Sequence, residues 1–263
     1  MQLASWHASR KRWSISLTTR DRSPSSKRLG PRSLVALGGL DVPMSEIRAL
    51  EVLRAGRVPY AEGLELQDDL VQRRRSGEIH DTLVLLEHPH VITMGSSTDV
   101  SNVLVDETER ARLGIELHKA GRGGDVTYHG PGQLVAYPIL DLKPDRKDLH
   151  RYLRDLETVL IRLAAEYGIE SERDDAGTGV WTETGKLAAI GIRVSSGWIT
   201  SHGIALNVDA DLSYFGTIVP CGISHRDVTS LARELDRPIS VSEVGETFIG
   251  HFCDVFERRI QEA

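Results

Sequence analysis

The chain is sparing with features that would each mark a class of protein. Its 263 residues include only two cysteines, Cys221 and Cys253. Two thiols do not make a disulfide framework, and a reducing, cytoplasmic setting is expected. No run of about 18 apolar residues occurs, so no membrane span is expected. The longest apolar stretches, such as Thr82 to Leu86, have strand length. Positive charge is not in excess: 32 Lys and Arg against 38 Asp and Glu leave a net charge of −6. That is the wrong sign for a protein that neutralises nucleic-acid phosphates, and nucleic acid is set aside as a partner. Zinc-type Cys and His spacing is missing too. His88-Pro89-His90 places two imidazoles two residues apart, but no further ligand cluster accompanies them, and no metal is expected.

What is present is an ordinary globular composition, 40% hydrophobic and 27% charged, long enough for a substantial core. The first 43 residues stand apart. Arg10, Lys11, Arg12, Arg20, Arg22, Lys27, Arg28 and Arg32 meet only Asp21 and Asp41, serine is frequent, and no apolar period is sustained. A disordered basic tail, an organelle transit segment and a leader translated from an early start codon all fit this composition. A leader, disordered or translated from too early a start, is the expectation for 1–43, with a single catalytic domain over 44–263. From Ile47 onward the pattern is that of a folded domain.

Strands are expected at Ala49–Leu53, Thr82–Glu87, Val91–Met94, Ile115–Lys119, Gln133–Leu140, Lys186–Val194 and Ile204–Val208. Helices are expected at Tyr60–Arg75, with Leu64, Leu66, Leu70 and Val71 near helical spacing, and at Asp148–Tyr167. The latter carries an apolar stripe of Leu149, Leu153, Leu156, Leu160 and Leu163, and Gly168 sits where a terminating glycine belongs. A last helix begins at Val241 after the capping pair Ser240 and Glu243, with Val244, Phe248, Phe252 and Phe256 on one face. Cys253, beside Phe252, reads as a buried core thiol. Strands mixed with helices, without strict alternation, predict an α/β (α+β) fold: a mixed β-sheet flanked by helices.

Three segments carry chemistry. Arg122-Gly123-Gly124-Asp125-Val126-Thr127-Tyr128-His129-Gly130-Pro131-Gly132-Gln133 packs four glycines and a proline into twelve residues. Such a turn brings backbone close to a ligand and can present N–H groups to an oxyanion or carbonyl. A tight surface turn is the plain alternative. No Gly-Lys-Ser/Thr follows and the G-x-G-x-x-G order is missing, so neither phosphate loop applies. In Gly185-Lys186, the lysine stands at the mouth of a strand of small and apolar residues; a solvated strand-end lysine is the plain alternative. Val219-Pro220-Cys221-Gly222-Ile223-Ser224-His225 places a thiol in a loop, where nearby positive charge lowers its pKa from about 8.5. If one cysteine is a nucleophile, position selects Cys221.

Five blocks, in this order along the chain, are Glu87-His88-Pro89, Arg122 to Gln133, Gly185-Lys186 with Ala188 to Gly191, His202-Gly203-Ile204-Ala205-Leu206-Asn207, and Pro220-Cys221-Gly222. Together they resemble the lipoyl(octanoyl) transferase family over roughly Ile47 to Phe256. The resemblance implies the biotin/lipoate protein ligase-like fold and an acyl transfer without cofactor. The donor would be octanoyl-acyl carrier protein. The acceptors would be lipoyl domains of 2-oxoacid dehydrogenase complexes and the glycine cleavage H protein. It implies Cys221 as the acyl-accepting nucleophile and Lys186 as the residue that lowers its pKa. It places substrate contacts at Arg122, Gly123, Gly124, Asp125, Val126, Thr127, Tyr128 and His129, at Ala189, Ile190 and Gly191, and at Gly203, Ile204 and Ala205. Departures fall at His90 and in a longer Gly197–His202 segment. An apolar lining for the acyl chain is expected from Ala188, Ala189, Ile190, Ile192, Leu134 and Val135. Three rival functions stay open: an ATP-dependent lipoate or biotin ligase of the same fold, a carrier-protein binding module, and a cysteine hydrolase using His202 or His225.

Overall fold

A computed structural model describes residues 34–37, 40–43, 47–174, 177–219 and 227–261. Most of the expected basic leader, and Cys221 with His225, lie outside the described residues. The leader's end carries a short ladder, β1 (Leu34–Leu37) antiparallel to β2 (Leu40–Pro43). The elements that follow are β3 (Arg48–Arg57), α1 (Tyr60–Arg75), β4 (Asp81–Glu87), β5 (Val91–Met94), α2 (Glu107–Leu113), β6 (Glu116–Lys119), β7 (Val126–His129) and β8 (Gln133–Ile139). The second half supplies α3 (Leu149–Glu166), β9 (Gly179–Trp181), β10 (Lys186–Val194), β11 (Thr200–Asn207), α4 (Leu231–Leu235), α5 (Val241–Phe256) and β12 (Arg258–Ile260).

Among the described residues, seven strands form the main sheet in the order β12-β3-β4-β8-β11-β10-β9. The pairs β12/β3 and β3/β4 are parallel, and the rest are antiparallel, which is the mixed sheet the sequence predicts. A three-stranded sheet, β6-β5-β7, carries the glycine-dense turn on its last strand. Side chains alternate across the main sheet as the pleat requires. Leu83, Leu85, Leu134 and Ala136 face α3 and α5, whereas Val84, Leu86, Val135 and Tyr137 face α1. The result is three layers with the sheet in the middle.

The two long helices start where their caps dictate. The Asp148 carboxylate accepts from the Arg151 N–H at 3.0 Å, and the Ser240 hydroxyl accepts from the Glu243 N–H at 3.1 Å. Gly168, at φ +74°, ends α3 in the left-handed region. Phe248, Phe252 and Phe256 are fully buried, each contributing about 1.5–3 kcal/mol. Some expected packing shifts. Leu149 is exposed and Leu153 only partly buried, whereas Tyr152, Leu156, Val159, Leu160 and Leu163 form the buried face of α3. Cys253 is half-buried at the core's edge, and burial pushes its thiol up to about 11. On α1 the buried face is Tyr60, Gly63, Gln67, Leu70 and Val71, with Leu64 and Leu66 turned partly outward. Strand β11 begins at Thr200, four residues before the expected Ile204. Among the described residues, no helix is long and apolar enough to cross a membrane.

Candidate active site

The expected substrate residues converge on one cavity at the meeting of β7, β10, β11 and the glycine-dense turn. Arg122 to Thr127, His129, Ala189 to Gly191 and Gly203 to Ala205 all line it, as does Lys186. Tyr128 does not. It points into a separate small core with Ile92 and Val126, where its hydroxyl shares a hydrogen bond with His90 Nδ1 at 2.6 Å. The expected acyl lining also divides. Ala188, Ala189 and Ile190 face the cavity, while Leu134 packs under α5, Val135 under α1 and Ile192 against the main core.

Arg122 is buried and acts as a staple for its own turn. Nη2 donates to the carbonyl and the hydroxyl of Thr93, at 2.8 and 2.9 Å, and Nη1 donates to the Asp125 carbonyl at 2.7 Å. The turn is fastened to β10 by the Gly123 N–H, which donates to the Ile192 carbonyl at 2.9 Å. That approach explains the glycine at 191: a Cβ there would stand 2.9 Å from Arg122 Cδ and 3.2 Å from the Gly123 oxygen. Gly124, at φ +86°, turns the chain where other residues would be strained.

Lys186 is buried in the wall and not solvated, contrary to the plain alternative for a strand-end lysine. Its Nζ lies 5.0 Å from the centre of the Trp181 ring, within cation–π range. Its peptide is gripped by the chain that follows residues 220–226. The Lys186 N–H donates to the Asp227 carbonyl at 2.9 Å, and the Thr229 N–H donates to the Lys186 carbonyl at 3.0 Å. Lys186 and Val228 thereby form a parallel bridge, and Val228 lines the cavity. At the other end of that segment the Val219 N–H donates to the Asn102 carbonyl at 2.8 Å, and Asn102 Nδ2 donates to Asp125 Oδ2 at 2.7 Å. Both ends of the segment carrying Cys221 are thus tied to the cavity, one to the lysine and one to the glycine-dense turn.

The cavity wall also contains residues to which the sequence assigned no contact: Gln133 and Asn207 from the motif blocks, and Tyr60, Tyr137, Thr178 and Phe215 from outside them. His88, behind this wall, donates from Nδ1 to the Val58 carbonyl at 2.6 Å and accepts at Nε2 from the Tyr137 hydroxyl at 2.7 Å. The carbonyl can only accept, which fixes this tautomer. His88 and His90 therefore serve different neighbourhoods, since His90 stacks on Tyr214 at 4.2 Å. Gln133 Nε2 donates to Asn207 Oδ1 at 3.0 Å, and Asn207 Nδ2 donates to the Thr229 carbonyl at 2.9 Å. Burial lowers the pKa of His88 and of His202 to about 4, pushes His129 well below its usual value and raises Tyr60 to about 12. The imidazoles and phenols named here are therefore neutral near pH 7, and Arg122 and Lys186 are the Arg and Lys side chains among the described residues of the wall. Among the described residues, no group of three His, Cys, Asp or Glu side chains is placed to hold a metal ion.

A mixed sheet flanked by helices carries, in one cavity, a buried lysine beside a glycine-dense turn. The family model described as the lipoyl protein ligase A/B catalytic domain matches residues 59–253. Octanoyltransferases from Rubrobacter xylanophilus and Solibacter usitatus are 54% and 50% identical to the chain. The first match covers 79% of this chain and 94% of the relative, the second 77% and 90%. Among solved structures, lipoate-protein ligase A bound with ATP aligns with TM-score 0.64 at 17% identity, over 81% of this chain and 87% of that one. A bipartite lipoate protein ligase from Thermoplasma acidophilum aligns with TM-score 0.61 at 17% identity, over 82% and 86%. At such low identity the structures share the fold. The chain belongs to the lipoyl protein ligase A/B catalytic-domain family, among its octanoyltransferases.

Proposed function

We propose that this chain is an acyltransferase that moves an octanoyl group from acyl carrier protein onto a lysine of lipoyl domains, through a thioester on Cys221. The acceptors are lipoyl domains of 2-oxoacid dehydrogenase complexes and the glycine cleavage H protein, and the setting is the reducing cytoplasm. The observation that carries this reading is the backbone bridge between Lys186 and Asp227 to Thr229, six to eight residues beyond Cys221. The octanoyltransferase relatives support the reaction class.

In the first half-reaction the Cys221 thiolate attacks the thioester carbonyl of the donor. The carrier's thiolate leaves and the octanoyl group stays on sulfur. The Lys186 ammonium favours the attacking thiolate by charge and gives its proton to the departing carrier thiolate, leaving a neutral amine. In the second half-reaction the acceptor amine attacks the acyl-cysteine, forming an amide and expelling the Cys221 thiolate. Lys186, once its charge partner has been acylated, takes the proton the amine gives up. Ala188, Ala189, Ile190, Ile204 and Ala205 give the acyl chain an apolar wall, and six methylenes contribute about 5 kcal/mol at about 0.8 each.

Incubation of the chain with octanoyl-carrier protein and a lipoyl domain, without nucleotide, tests this. A gain of one octanoyl mass on the acceptor is expected. Modification only with ATP and free octanoate would replace the reading with the ligase alternative.

A further inference from the structure

His202 is held in a strained backbone conformation. It lies inside β11 at φ +56°, a left-handed conformation that a residue with a Cβ adopts only when its surroundings hold it there. The sequence supplies the reason. Pro138 on the neighbouring strand has no N–H, and the ladder between β8 and β11, continuous from Asn207 to Ile204, stops there. It is taken up again at Thr200, whose N–H donates to the Leu140 carbonyl at 2.9 Å. His202 occupies the gap, and its backbone N–H donates to Gln67 Oε1 at 2.6 Å.

Gln67 is itself out of place as packing. It is 2% exposed on the buried face of α1, and its Nε2 makes no hydrogen bond among the described residues. A buried amide with its donor unmet costs more than a leucine at the same position. The grip on His202 is the gain that sets against that cost. The His202 ring lies in the cavity wall, edge-on to Tyr137 with centroids 6.3 Å apart. Its nitrogens hydrogen-bond to no described residue. Burial keeps the ring neutral, so it offers one N–H donor and one lone pair to whatever enters.

We propose that Gln67 is a positioning residue for acyl transfer, holding His202 so that its imidazole N–H donates to a carbonyl of the acyl donor. This inference rests on the proposed octanoyl transfer and adds two residues to it.

The test is steady-state transfer kinetics on Gln67→Leu, Gln67→Glu, His202→Ala, His202→Gly and the Gln67→Leu/His202→Ala double variant, with melting temperatures alongside. Gln67→Leu and His202→Ala should each lower kcat/KM about tenfold, and the double variant should be no worse than His202→Ala within about twofold. Gln67→Glu keeps an oxygen acceptor and should recover to within about threefold of the parent. His202→Gly relieves the left-handed strain, so it should melt no lower than the parent yet lose activity as His202→Ala does. That variant stays decisive if Gln67→Leu fails to fold. Full activity in His202→Gly, multiplying losses in the double variant, or equal losses in Gln67→Glu and Gln67→Leu would overturn the inference. If the parent chain itself transfers no octanoyl group, the proposed function falls and takes the inference with it.

Discussion

Lys186 and Asp227 share a backbone hydrogen bond of 2.9 Å, so the lysine of the cavity wall and the chain leaving the Cys221 segment move as one piece. Charge coupling between an ammonium and a thiolate falls with distance, which is why the proposed pairing of Lys186 with Cys221 needs the lysine held. The link makes the lysine's chemistry open to separation by substitution.

Lys186→Ala should raise the pH at which Cys221 is alkylated by about one unit or more, because the favouring charge is gone. Lys186→Arg keeps the charge but holds its proton. It should form the acyl-enzyme and stall before transfer. Alkylation rates against pH, with a burst measurement, check both; an unchanged alkylation profile in Lys186→Ala would remove the tuning role.

Arg122→Ala should strip the turn of its staple, leaving the Thr93 and Asp125 carbonyls without their donor. A loss of about 2–4 kcal/mol in urea unfolding is expected. Arg122→Lys cannot reproduce the forked contacts and should recover little of it.

Gly191→Ala places a methyl against Arg122 Cδ and the Gly123 oxygen. The turn must then retreat from β10, and kcat/KM should fall about tenfold with a raised KM for the acyl donor. Parent-like kinetics would mean that the close approach does not shape the substrate site.

Acid should destabilise the fold through its buried imidazoles. His88 is held neutral with a pKa of about 4, whereas the unfolded chain takes up that proton near pH 6.5. The unfolded state therefore binds more protons between those values. The resulting stability is fully present above pH 6.5 and is lost as pH falls toward 4, by up to about 3 kcal/mol for this group. Unfolding midpoints at pH 7, 6, 5 and 4.5 should show the decline, with a shallower slope in His88→Gln.

The sequence announces those parts of the fold governed by local chemistry. Asp148 and Ser240 mark their helix starts because each side chain caps the N–H three residues on. The glycine-dense turn and Lys186 are legible for a related reason: few folded environments require that density of glycine or a lysine heading a strand of small and apolar residues. Other features depend on partners distant in the chain. Alternation in β8 says that Leu134 and Val135 face opposite ways but not which layer receives either, and both leave the acyl cavity. The buried face of α1 runs through Gln67 and not Leu64 or Leu66, since Gln67 answers a backbone N–H on a strand 135 residues away. The early start of β11 is hidden because His202 and Gly203 interrupt the apolar period within the strand. Tyr60, Asn207 and the β8 pair Gln133 and Tyr137 enter the cavity from three separate segments, and no spacing in the chain links those segments.

Covalent capture on Cys221 is the step on which the proposed chemistry turns, and intact-mass measurement reads it directly. The chain incubated with octanoyl-carrier protein alone, without acceptor, should gain the mass of one octanoyl group. Peptide mapping should place that group on Cys221, and Cys221→Ser should gain no thioester. No adduct on a chain that still octanoylates a lipoyl domain, or an adduct on Cys253 instead, would contradict the mechanism.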